Sequence, residues 1–127
     1  MSILINYKNN ALKKPSNNIV LFTDEKLNIS NLKKYISNSE FSYVNDLLKT
    51  SNLKKNLFVF RINSKKLIIL ISVKNNLEKS DIENLGAEFC GLINREKKNE
   101  YFVNSDSAGS KYENFIGYFL HGLKLKS

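Results

Sequence analysis

Two neighbouring apolar runs, Leu57-Phe-Val-Phe-Arg-Ile62 and Lys66-Leu-Ile-Ile-Leu-Ile-Ser-Val73, constrain the fold more than any other feature of the chain. Both read as strands, and the second is apolar on both sides, as expected of a central strand covered by helices on either face. The polar residues Asn63-Ser64-Lys65 between them read as a hairpin turn. An antiparallel hairpin excludes a purely parallel, doubly wound sheet.

Other runs extend the pattern. Ile3–Tyr7 reads as a strand, Asn9–Asn18 with the lone proline Pro15 as a loop, and Ile19-Val-Leu-Phe22 as a buried strand. Ser30 offers an N-cap for a short helix burying Leu32, Tyr35 and Ile36. A further helix over Phe41–Lys49 places Phe41, Val44 and Leu48 on one face.

The C-terminal half holds two stronger helical signals. Ser80-Asp-Ile-Glu83 fits a capping box and opens a stripe of Ile82, Leu85, Phe89, Leu92 and Ile93, with Lys97–Glu100 closing the helix. Tyr101-Phe-Val103 reads as a strand. Ser110-Lys-Tyr-Glu113 fits a second capping box and opens a helix whose stripe is Tyr112, Phe115, Ile116, Phe119, Leu120 and Leu123. The resulting order β, β, α, α, β, β, α, β, α predicts an α/β fold with a mixed sheet flanked by helices on both faces. At 127 residues the chain is a single domain, 1–127, with a substantial core.

The longest apolar run, Leu67–Ile71, falls far short of the roughly 18–20 residues that cross a bilayer. Met1–Tyr7 lacks the basic lead and apolar stretch of a signal peptide. A single cysteine, Cys90, rules out an internal disulfide and suits a reducing compartment. Together these predict a cytoplasmic protein.

The net charge of +8 points toward nucleic acid. Yet 18 of the 20 basic residues are Lys, whereas base and phosphate recognition favours the planar fork of Arg. The chain also carries 19 Asn and abundant Ile, which share A/T-rich codons with Lys, so base composition accounts for the basicity without a partner. The pairs Lys13-Lys14, Lys33-Lys34, Lys54-Lys55, Lys65-Lys66 and Lys97-Lys98 are spread evenly and read as solvated turns.

Chemistry is sparse. His121 is the lone histidine and reads as an exposed or helix-edge side chain; Cys90 lies close to a buried stripe and reads as packing, so a Cys–His dyad has no support. No carboxylates show the spacing of a metal or glycosidic site: Asp24 and Glu25 fall in a turn, Asp81 and Glu83 in a first helical turn, Glu78 and Glu88 on solvated faces. Of the five glycines, Gly86, Gly91, Gly117 and Gly122 fall inside the two long helices, where they permit close approach, and Gly109 belongs to Ser105–Ser110. That loop has the right context for an anion but lacks a phosphate-binding signature. The sequence therefore predicts no catalytic, cofactor-binding or metal residue in this chain.

Two segments resemble a known family. Glu83-Asn-Leu-Gly-Ala-Glu-Phe-Cys90 is similar to a helix in the N-terminal domain of leucyl aminopeptidases, the M17 metallopeptidases. Asn114–Ser127 resembles that domain's closing helix, with Gly122, Leu123, Leu125 and Ser127 on its pattern. A departure is Ser72-Val-Lys-Asn-Asn76, where the family often has a glycine-rich turn. The resemblance implies a macro-domain-like mixed sheet and a parent enzyme that removes N-terminal residues such as leucine. It further implies a cytoplasmic homo-hexamer whose two divalent metals (Zn, Mn or Mg) and catalytic residues lie in a separate C-terminal domain. On that reading the chain is a fragment of a longer enzyme, its partners being its own peptidase domain and the other subunits. The alternatives are a free-standing basic nucleic-acid-binding module, a macro-type module reading ADP-ribose or a related nucleotide through Ser105–Ser110, and a standalone interaction domain.

Overall fold

A computed structural model describes residues 18–24, 26–27, 29–50, 55–63, 66–74, 77–96, 101–103 and 115–126. The elements are strand β1 (Asn18–Asp24), a 3-10 turn (Ser30–Lys34), helix α1 (Asn38–Thr50), strands β2 (Leu57–Asn63) and β3 (Lys66–Val73), helix α2 (Lys79–Glu96), strand β4 (Tyr101–Val103) and helix α3 (Phe115–Lys126). The chain is α/β, as its periodicities require. The expected strand Ile3–Tyr7, the loop Asn9–Asn18 but for Asn18 itself, and the capping box Ser110–Glu113 lie outside the described residues. The chain divides into two compact units, one built on the sheet and one on α2 and α3.

In the first unit the strands form one mixed sheet in the order β2-β3-β1-β4. β1 runs parallel to β3, with Ile19 opposite Ile68 and Phe22 opposite Ile71, and parallel to β4. β2 and β3 are antiparallel, Phe58 facing Leu70 and Phe60 facing Ile68. Asn63 pairs with Lys66, so it belongs to the strand rather than to the turn, and the register shifts between Arg61 and Asn63.

Position in the sheet explains the two burial patterns. β3 and β1 are interior strands, and Leu67–Ile71 and Ile19–Phe22 are almost wholly buried on both faces. β2 stands at the edge: Phe58 and Phe60 are buried, whereas Val59 and Arg61 on its other side are exposed. One face of the sheet presents Ile19, Leu21, Phe58, Phe60, Ile68 and Leu70, and these pack with Ile29, Leu32, Ile36, Val44 and Leu48. Val44 and Leu48, one turn apart, are the buried residues of α1, while Phe41 packs at the margin.

Local signals differ in three places from the sequence-based expectation. Ser30 does not cap a helix; Ile29 holds the cap position of a five-residue 3-10 turn without a side-chain cap bond. α1 begins earlier than expected, because Ser37 and Glu40, just upstream of Phe41, form a capping box: the Ser37 N–H donates to Glu40 Oε1 at 2.9 Å, and the Glu40 N–H to Ser37 Oγ at 3.2 Å. α2 begins at Lys79, and the N–H of Glu78 donates to Asp81 Oδ2 at 3.0 Å. The capping carboxylate is thus Asp81, which leaves Glu83 for another role. The buried Asn18 closes the start of β1, its Oδ1 accepting the Leu67 N–H at 2.8 Å.

Candidate functional site

The second unit joins the two segments singled out by sequence. α2 buries Ile82, Leu85, Phe89, Cys90 and Leu92; α3 buries Phe115, Phe119, Leu120 and Leu123. Phe119 stacks with Phe89 at 5.7 Å and with Phe115 at 6.1 Å between ring centroids.

Glycine makes the closest approach possible. A methyl group on Gly122 would lie 2.0 Å from the Glu83 carbonyl oxygen, and one on Gly86 would lie 2.0 Å from that of Phe119. Both helix backbones therefore occupy the space that a Cβ needs. Gly91 and Gly117 differ: nothing lies within 4 Å of a methyl group there, so the expectation that all four helix glycines serve close approach holds for only two.

His121 sits beside this crossing. It is exposed, as its place in the sequence implies, but it is not alone: Nδ1 contacts Oε2 of Glu83. Glu83, which its position in the first turn assigns to its own helix terminus, instead reaches the neighbouring helix. Nearby, Lys79 Nζ stands 5.4 Å from the centre of the Tyr118 ring. Asn84, Ala87, Glu88 and Lys126 line an open recess of about 460 Å³. Cys90 is fully buried, and its Sγ accepts a long contact from Asn94 Nδ2 at 4.0 Å. A thiol enclosed by packing residues is not placed to act as a nucleophile.

In the sheet unit the polar groups are likewise engaged in holding structure. Lys66 Nζ meets Glu40 Oε2 at 2.8 Å, joining β3 to the first turn of α1; the two side chains are 15% and 14% exposed. Burial pushes the Glu40 carboxyl up, but the Lys66 ammonium and the Ser37 donors outweigh it and hold the carboxyl below its ordinary range. Lys66 is therefore a strand residue in an ion pair, not a solvated turn lysine. Lys33 and Lys34 belong to the 3-10 turn and stand over Phe41 and Tyr35 at 5.0 and 5.2 Å. At the carboxyl ends of the parallel strands, Thr23 and Ser72 are buried register partners, and Ser72 Oγ donates to the Asp24 carbonyl at 3.3 Å. Leu27, just beyond, has a positive φ of 56°, rare for a side chain of its size. The Ser105–Ser110 loop lies outside the described residues.

Among the described residues no three His, Cys, Asp or Glu side chains converge as metal ligands would, and no helix is long and apolar enough to cross a membrane. No protein-family model, curated protein or solved structure matches the chain.

Proposed function

We propose that this chain is the non-catalytic N-terminal domain of a leucyl aminopeptidase of the M17 type, acting in subunit assembly or substrate access rather than in bond cleavage. One observation carries the reading. The two segments that resemble the family, Glu83–Cys90 and Asn114–Ser127, contribute α2 and α3, and the glycine of each, Gly86 and Gly122, admits the backbone of the other helix. Of the positions on the family's pattern, Gly86, Gly122 and the buried Leu123 are set by packing, as a structural domain would require, while Leu125 is exposed. Among the described residues three carboxylates and the histidine bind their own fold: Glu40 to Lys66, Asp81 to the Glu78 N–H, Glu83 to His121.

On this reading the two divalent metals, and the activity that removes N-terminal leucine, belong to a peptidase domain encoded downstream. The deciding experiment is to read the gene past the Ser127 codon and express the whole frame. The expected result is a continuous frame encoding a metal-binding peptidase domain, with leucyl-p-nitroanilide hydrolysis that a chelator abolishes and Mn²⁺ restores. A stop codon directly after Ser127 would overturn the proposal.

A further inference from the structure

We draw no further inference here: the strongest candidate, the carboxyl ends of β1 and β3 where the buried Thr23 and Ser72 lie beside each other next to the positive-φ Leu27, carries nothing because the Ser72 hydroxyl already binds the Asp24 carbonyl and no second feature among the described residues there points to a ligand.

Discussion

Glycine is the residue whose meaning depends most on its neighbours. Gly86 and Gly122 are needed because a carbonyl oxygen of the other helix stands where their Cβ would be. Gly122→Ala and Gly86→Ala should each destabilise the protein by about 1–3 kcal/mol, the usual cost of overpacking. Gly117→Ala meets open space and removes a glycine from the first turn of α3, so it should stabilise by about 0.4–1 kcal/mol by restricting the unfolded chain. Urea titrations of the three variants followed by circular dichroism test this; equal effects at all three positions would mean that the two helix backbones do not cross in contact. Glu40 allows a prediction in pH. Its carboxyl titrates below the ordinary range in the folded chain, so its contribution to stability is present above the unfolded value of about 4.3 and is lost as pH falls through the folded value. Glu40→Gln should cost about 1–2 kcal/mol at pH 7, as expected for a charged hydrogen bond that is not fully buried. Its deficit should shrink as the pH is lowered through the carboxylate range. A deficit independent of pH would mean that neither the Lys66 pair nor the Ser37 N–H bond depends on the ionised carboxylate, contrary to the lowered pKa.

Elements begin where backbone donors find acceptors, and sequence motifs compete for that role. Ser80-Asp-Ile-Glu83 has the composition of a capping box, yet α2 starts at Lys79 and uses Asp81. Ser37-Asn-Ser-Glu40 has the same composition and does form the reciprocal pair. Ser37→Ala should therefore cost about 1 kcal/mol, whereas Ser80→Ala should change stability by no more than about a few tenths. Thermal melts of both variants decide it, and a larger loss at Ser80 would contradict a helix that starts at Lys79. A motif alone could not separate the two sites. Both read S-x-x-E, and the difference lies in which tertiary partner claims the glutamate: Lys66 supports Glu40 in its box, while His121 draws Glu83 away.

At the scale of the molecule, the sheet orders its strands by how completely each is enclosed. β1 and β3 are interior and buried on both faces, while β2 keeps Val59 and Arg61 exposed on one side. Amides of β1 and β3 should exchange most slowly with deuterium, since they open only with the sheet core, and those on the outer edge of β2 should exchange sooner. Mass-spectrometric exchange that found β2 as protected as β3 would imply a further strand or partner against that edge. The α/β class, the hairpin, β1, β4 and both long helices were legible in the sequence, because apolar periodicity records directly whether one face or two are shielded from water. Cys90 as packing and His121 as a helix-edge residue were legible for the same reason. The strand order, the Lys66–Glu40 and His121–Glu83 pairs and the split in meaning between Gly86 and Gly91 were not. Those depend on which segments, distant along the chain, come to occupy the same space. Local sequence determined where this protein could bury surface; only the tertiary structure decided what each buried or charged group would meet there.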